Sequence, residues 1–237
     1  IRSAPGQALW SYFGYQSMGY FSDSNDIKAS PVQFGIPWSA NPTIGPKPGD
    51  VKYADISGVD GKPDGKVDAF DRTFVGNNFP RYEYSVNLNL SYGRFDLNIF
   101  GQGVGKRSNY YSGTGAVPFA SADFAASLLA MHKDYWTPNN PDARFPRLLP
   151  SGLGGNNYVA SSQWIRDASF FRIKNLNLAY RLPETFLKKA GIRSAKLYVS
   201  AQNVLTFTKA WDGFDPEINS QTAEFYPLMR TITAGVN

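Results

Sequence analysis

Between Tyr82 and Gln102 apolar and polar residues alternate one by one. Tyr84, Val86, Leu88, Leu90 and Tyr92 interleave with Ser85, Asn87, Asn89 and Ser91. After Gly93-Arg94 the alternation resumes, with Phe95, Leu97 and Ile99 set against Asp96 and Asn98. Successive side chains of a strand point to opposite faces, so this period of two collects the apolar residues on one side. The pattern predicts an antiparallel hairpin closed by a tight turn at 93–94. Its aromatic residues stand at the ends of the apolar stripe and its aliphatic residues in the middle. Aromatics bordering a greasy band suit a membrane interface, and small amides and hydroxyls suit a wet interior. The same alternation also describes a half-buried sheet in a soluble sandwich, so the hairpin alone leaves both open.

Three further segments alternate. Ser169 to Leu182 carries Phe171 and Ile173, then changes phase to Leu176, Leu178 and Tyr180, as a β-bulge near Lys174 would produce. Ala195 to Phe207 sets Leu197, Val199 and Ala201 against Tyr198, Ser200 and Gln202, and Tyr226 to Asn237 sets Leu228, Ile232, Ala234 and Val236 against Thr231, Thr233 and Gly235. The connections sort by length: tight at 93–94, long over 108–163, moderate over 183–194 and long over 208–225. Short turns at one end and long loops at the other mark an outer-membrane barrel, whereas a Greek-key sandwich has no reason to sort its loops. Residues 1–81 read as a structured loop region, because Trp10, Tyr12, Phe13, Tyr15, Tyr20 and Phe21 make it too aromatic for a flexible linker. In the 108–163 connection, Ala120 to Tyr135, with Phe124, Leu128, Leu129 and Met131, has the spacing of one short helix.

Composition narrows the class. Aromatics at 15%, with 22 glycines and 16 prolines, fit an all-β chain with long loops. The net charge of +5 comes from scattered lysines and arginines, without the basic run that tracks phosphates, so a nucleic-acid partner is not expected. There is no cysteine, which removes disulfides, thiolate catalysis and cysteine metal sites. No apolar run approaches the roughly 20 residues of a membrane helix, a test to which alternating barrel strands are blind.

Candidate chemistry is sparse. Asp55, Asp60, Asp64, Asp68 and Asp71, with Gly65 and Val67 between them, form an oxygen-rich loop over 55–71 that invites calcium. The spacing departs from an EF-hand, since Lys62 stands at the third ligand position and Asp replaces the closing Glu. The alternative is a turn in which Asp side chains bind local N–H groups. Gly101-Gln-Gly103-Val-Gly105-Lys106 fits neither phosphate-loop spacing and reads as strand-end glycine. His132 is the single histidine and has no cysteine or second histidine to work with, so it reads as a surface or packing residue. The clustered aspartates cannot flank a scissile bond from two sides, and Asp215 and Glu217 sit two residues apart on one loop. An enzyme is not expected.

Several segments together resemble one family. They are Gly14-Tyr15 through Gly19-Tyr20-Phe21; Gly49 to Asp55 leading to Asp64-Gly-Lys-Val-Asp68 and Asp71-Arg72; and Tyr135-Trp-Thr-Pro-Asn-Asn-Pro141 with Pro146-Arg147-Leu148. The most specific are Ala168 to Pro183 (Ala-Ser-Phe-Phe-Arg-Ile-Lys-Asn-Leu-Asn-Leu-Ala-Tyr-Arg-Leu-Pro), Asn203-Val-Leu-Thr-Phe-Thr-Lys209 with Gly213-Phe-Asp215-Pro216-Glu217, and Tyr226-Pro227 ending in Gly235-Val-Asn237. In order and spacing they resemble the C-terminal portion of the SusC/RagA-type TonB-dependent transporters of Bacteroidota outer membranes. The family's last strand ordinarily runs on to a terminal aromatic, and its plug and TonB-contacting segment have no counterpart in these residues.

The resemblance implies a large plugged transmembrane antiparallel β-barrel to which 82–237 contributes roughly the last five strands. It places the C-terminus and the 93–94 turn on the periplasmic side and the long loops outside. It further implies a SusD-like lipoprotein partner, a TonB complex reached through the missing N-terminal part, contact with outer-membrane lipid, and import of oligosaccharides or peptides. Flat rings stack on sugars and peptide side chains at little entropic cost, which nominates the loop aromatics Trp10, Tyr12, Tyr15, Trp136, Trp164 and Trp211 as ligand contacts. The competing reading is a soluble β-sandwich that binds glycans, with calcium in the 55–71 loop.

Overall fold

The computed structural model describes residues 2, 4–33, 45–113, 116–119, 128–149, 155–188, 191–218, 226 and 228–237. The chain begins with β1 (Ser11–Gly14), β2 (Ser17–Tyr20), the short helix α1 (Ser24–Ala29), β3 (Val51–Tyr53) and β4 (Thr73–Asn77). A long pair follows, β5 (Tyr82–Tyr92) and β6 (Phe95–Gly105), then the short strands β7 (Ser108–Tyr110) and β8 (Ile165–Asp167). It closes with β9 (Phe170–Arg181), α2 (Glu184–Leu187), β10 (Lys196–Thr208) and β11 (Thr231–Val236). These elements fall into two compact units, one drawn from residues 1–79 and 108–167, the other from 80–107, 168–218 and 226–237.

The second unit is one five-stranded antiparallel sheet in the order β11-β10-β9-β6-β5, an up-and-down path. Tyr92 pairs with Phe95 across the Gly93-Arg94 turn, and Gly93 takes the positive φ (58°) that a primed hairpin turn requires at its first position. The expected bulge is present. Phe100 pairs with Asn175 and Gly101 with Ile173, which leaves Lys174 unpaired between them. Without that extra residue, Leu176, Leu178 and Tyr180 would fall on the polar face. The ladder between β10 and β11 stops at Gln202↔Thr231, later in β11 than the predicted start at Tyr226. There β10 bulges at Asn203, which turns to φ 53° and spends its side-chain amide on the Met229 carbonyl at 3.0 Å.

The register sorts one face into rows. Tyr92, Phe95, Tyr180, Leu197 and Val236 form one row, and Leu90, Leu97, Leu178, Val199 and Ala234 the next. Leu88, Ile99, Leu176, Ala201 and Ile232 come next, then Val86, Ile173 and Leu205, and finally Tyr84, Phe171 and Phe207. Aromatic rows therefore bracket three aliphatic ones. From Tyr84 to Tyr92 is eight residue steps of roughly 3.3 Å, and a strand tilt of about 40° turns that length into about 20 Å between the aromatic rows, close to the roughly 25 Å apolar band of a membrane barrel. This face stays open: Val86 is 56% exposed and Leu90 52%. The opposite face carries Ser85, Asn87, Asn89, Asn98, Asn175, Asn177, Ser200, Gln202 and Thr233, and Asn98 donates to both Asn87 and Asn89.

The first unit is where the hydrophobic core lies, around Tyr15, Val51, Tyr53, Val67 and Val159. Its strands are three to five residues long, so side chains complete what short ladders cannot. Gln33 acts as a strand partner, donating to the Val51 carbonyl (2.9 Å) and accepting from Tyr53 N–H (2.8 Å). Asp50 gathers Arg147 Nε (2.6 Å), Asn157 Nδ2 (2.9 Å) and the Lys47 amide (2.8 Å). Gly14 passes so close to the Ala160 carbonyl that a Cβ would collide with it. Of the helix expected over 120–135, residues 120–127 lie outside the described residues, and Ala130–Lys133 forms a 3₁₀ turn. His132 is buried in that turn, accepting from Leu129 N–H and packing edge-on against Phe145 at 4.7 Å.

Burial pushes the phenols of Tyr20, Tyr53 and Tyr158 well above their ordinary range. A raised folded-state value means full stability below the unfolded phenol's pKa of about 10, then a loss of up to about 1.4 kcal/mol per pH unit per tyrosine above it. This unit is therefore expected to unfold cooperatively above about pH 10, with near-UV circular dichroism lost together with a late step of phenolate absorbance that follows the ionisation of exposed phenols such as Tyr92. Complete phenolate absorbance with the dichroism retained would contradict the burial.

Candidate functional site

The polar face of the sheet carries one dense charge cluster. Arg172 lies on it in the β9 row that contains Ser85, Gln102 and Thr206, and it is 4% exposed. Its Nε donates to Thr206 Oγ1 at 2.8 Å, and its Nη2 to both oxygens of Asp215 at 2.9 Å. Nη1 stands 3.4 Å from Glu217 Oε2, which also receives Lys174 Nζ at 2.6 Å. Arg107 Nη1 donates to the Pro216 carbonyl at 2.8 Å, and Glu217 N–H donates to Asp215 Oδ1. Three cations from the ends of β6 and β9 thus hold down the segment Trp211 to Ile218 that follows β10. The bulge contributes directly, because it lets Lys174 act beside Arg172 while Ile173 remains in the apolar rows.

Sequence reasoning set Asp215 and Glu217 aside as a weak catalytic pair and passed over Arg172 and Lys174. A signal was available. Two cations two residues apart in an otherwise membrane-patterned strand need partners, and the segment Asp215-Pro-Glu217 offers two carboxylates at the same spacing. The arrangement is structural electrostatics, with each carboxylate committed to a cation.

The nominated ligand aromatics separate into two groups. Tyr12 (2% exposed), Tyr15 (3%), Trp136 (8%) and Trp164 (1%) are buried. Their faces are used internally. Tyr15 packs on Tyr53 at 5.4 Å, Tyr12 stands edge-on to Tyr110 at 6.1 Å, and Trp136 lies over Gly49. Trp164 donates Nε1–H to the Asn157 carbonyl at 2.7 Å and packs against Tyr158. Trp10 remains 56% exposed, with its backbone at φ 62°, and Trp211 is half-buried beside Phe214. Only these two present ring surface.

The aspartates expected to hold calcium are, Asp60 apart, occupied within their own loop. Asp71 is fully buried and accepts from the amides of Ile56 (2.7 Å), Ser57 (3.0 Å) and Asp68 (2.7 Å). Asp55 accepts from the amides of Asp64 and Gly65, Asp64 from Lys66, and Asp68 from Phe70, while Asp60 is exposed. Oxygens aimed at backbone N–H groups do not converge on a cation. Among the described residues no three acidic or imidazole side chains form a metal-holding group. The aspartates of 55–71 organise a turn.

No protein-family model matches the sequence. The chain is 31% identical over 98% of its length to TonB-dependent receptor P3 of Formosa agariphila, covering 22% of that protein. It is 26% identical over 98% of its length to TonB-dependent receptor P26 of the same organism, covering 23%. Among solved structures it superposes on the RagAB peptide transporter with a TM-score of 0.64 at 20% identity, covering 95% of this chain and 22% of that one. The RagAB peptide importer in its open-open state gives 0.62 at 21% identity with the same coverage. The chain therefore spans a quarter or less of the length of the relatives it matches, and its fold is that of a segment of their barrel.

Proposed function

We propose, because this chain belongs to the TonB-dependent receptors of the SusC/RagA type, that it forms part of the wall of an outer-membrane barrel that imports oligosaccharides or peptides. The observation that carries the reading is the five-stranded up-and-down sheet, apolar and aromatic-bordered on one face and amide-lined on the other. Its apolar face lies against lipid and its amide face lines the lumen. The short turns, at 93–94 and around α2, lie on the periplasmic side together with the C-terminus. The long segments reach the outside. In this reading the strap from Trp211 to Ile218 is fixed to the lumen wall by Arg172, Lys174 and Arg107, so that it shapes the outer part of the passage.

Uptake then proceeds without bond chemistry. A SusD-like lipoprotein delivers the ligand from outside, the lumen admits it, and TonB, acting through parts of the receptor beyond these residues, supplies the energy. Of the six nominated aromatics, exposed Trp10 and half-buried Trp211 are the ones whose rings are placed to meet ligand or partner. The test is affinity purification of the tagged full-length receptor from detergent-solubilised outer membranes, paired with growth of a deletion strain on defined glycans and on a tryptic peptide mixture. We expect a stoichiometric lipoprotein and loss of growth on one nutrient class. A receptor recovered without a lipoprotein, and a deletion strain that grows normally on both classes, would overturn the reading.

A further inference from the structure

We propose that the short-turn end of the sheet's amide face is a docking site for an acidic segment of the receptor's own chain, contributed by the part beyond these residues. This inference rests on the reading of the amide face as the lumen wall. The register sets three cations side by side there. Arg181 stands directly opposite Lys196, and the Arg94 carbonyl accepts the Arg181 N–H at 2.8 Å. Arg181 and Lys196 fall on the amide face, in step with Asp96, Ala179 and Tyr198. Neighbouring strands lie about 4.8 Å apart, so the row is crowded with like charge.

Like charges directly opposite each other on neighbouring strands are destabilising, and little on the sheet offsets these. Asp96 is shared between Arg181 (3.0 Å) and Lys196 (3.8 Å), and it also accepts from Ser91 Oγ at 2.8 Å. Glu184, the other carboxylate at this end, pairs with Lys188 at 3.3 Å. Arg94 and Arg193 are exposed and make no ion pair among the described residues. This end of the wall therefore carries a surplus of positive charge, and the counter-charge comes from outside these residues.

A cleft of about 510 Å³ gathers the four cations Arg94, Arg181, Arg193 and Lys196. Thr185 and Ser194 add hydroxyls to its lining, and the buried Leu187 adds apolar surface. Cations set on three strand ends and a loop match carboxylates spaced along a chain, whereas one compact anion could meet only one or two of them. Hydroxyls and apolar surface beside the cations likewise suit a peptide segment, with its backbone groups and side-chain carbons. The receptor itself is the source. The amide face is enclosed once the barrel closes, and the chain covers only 22% of TonB-dependent receptor P3, so most of such a receptor remains to meet this wall. A segment tethered in the same molecule also acts at an effective concentration that a free periplasmic protein does not reach.

The experiment is zero-length carbodiimide cross-linking of the purified full-length receptor in detergent, read by peptide mass spectrometry. The reagent joins an amine to a carboxylate only where the two are in contact. Lys196 is expected to form two links, one to Asp96 and one to an aspartate or glutamate in the part of the receptor beyond these residues. The Asp96 link, made within the sheet, is the internal standard. Arg94→Gln and Arg193→Gln are each expected to weaken the second link about fivefold relative to the first. Lys62→Gln, in the 55–71 loop of the other unit, is expected to leave both unchanged. The Asp96 link alone, a second link indifferent to both arginine variants, or a second link to a different protein would each overturn the dock while leaving the wall in place. A receptor that stays in solution without detergent would instead overturn the wall.

Discussion

Replacing Arg172 with alanine is expected to destabilise the intact receptor by about 3–5 kcal/mol, the cost of leaving buried carboxylates without their cation. Arg172 is enclosed, and its partners Asp215 and Glu217 are 9% and 18% exposed at their side chains, so water cannot easily take its place. Asp215→Ala should be comparably harmful, because it takes from the buried guanidinium the carboxylate that accepts two of its hydrogen bonds and leaves it Glu217 at 3.4 Å. The double variant Arg172→Ala/Asp215→Ala should cost clearly less than the sum, since each change removes the other's penalty. Arg172→Lys is expected to rescue only part of the loss, because a single ammonium cannot serve Thr206 and both Asp215 oxygens together. The measurement is the midpoint of urea unfolding of the receptor in lipid vesicles, with limited proteolysis alongside. New cleavage between Lys209 and Ile218 in the variant would report the strap coming free. A loss under about 1 kcal/mol would mean that the pair behaves as a solvated surface bridge in the whole protein.

The sheet was legible in the sequence and the cluster was not, for a physical reason. Alternation writes strand identity, facing and register into neighbouring residues. Each long strand, the turn at Gly93, and even the bulge at Lys174, visible as the phase change between Ile173 and Leu176, could therefore be read locally. The Arg172–Asp215 pair joins residues 43 positions apart in sequence, and nothing local in either segment states that they meet.

The first unit was harder still. Its strands are too short to establish a period, and its organisation depends on single side chains that bond distant backbone, as Gln33 does to β3 and Asn157 Oδ1 does to the Val51 amide at 2.8 Å. That is why residues 1–81 and 108–163 read as separate loops although they share one core. The same blindness explains the aromatics. Composition distinguishes an aromatic loop from a linker, but it cannot tell a buried tyrosine such as Tyr15 from an exposed tryptophan such as Trp10. The aspartates of 55–71 were ambiguous by chemistry, since a turn that caps backbone amides and a loop that chelates calcium both need closely spaced carboxylate oxygens and glycine.

The second large effect concerns the outward face. Leu88→Arg is expected to destabilise the receptor in lipid by about 2–4 kcal/mol, whereas Asn87→Arg and Asn89→Arg should each change stability by well under half of that. Leu88 stands midway between Tyr84 and Tyr92 along β5, so its side chain lies at the centre of the apolar band, where a charge has neither water nor a partner. Its neighbours point the other way, toward the amide row in which Asn98 bridges Asn87 and Asn89, and a cation there can reach water in the lumen. Adjacent positions therefore differ only in facing, which removes strand propensity and local backbone effects from the comparison. A third variant, Tyr92→Arg, should fall between the two, because charge penalties shrink toward the membrane surface. The free energies would be read from urea unfolding in vesicles, and the order Leu88 above Tyr92 above Asn87 is the expected result. Equal, small effects at all three would mean that Leu88 is simply an exposed leucine, at 42% of its surface. The soluble sandwich would then describe the sheet better than a membrane wall.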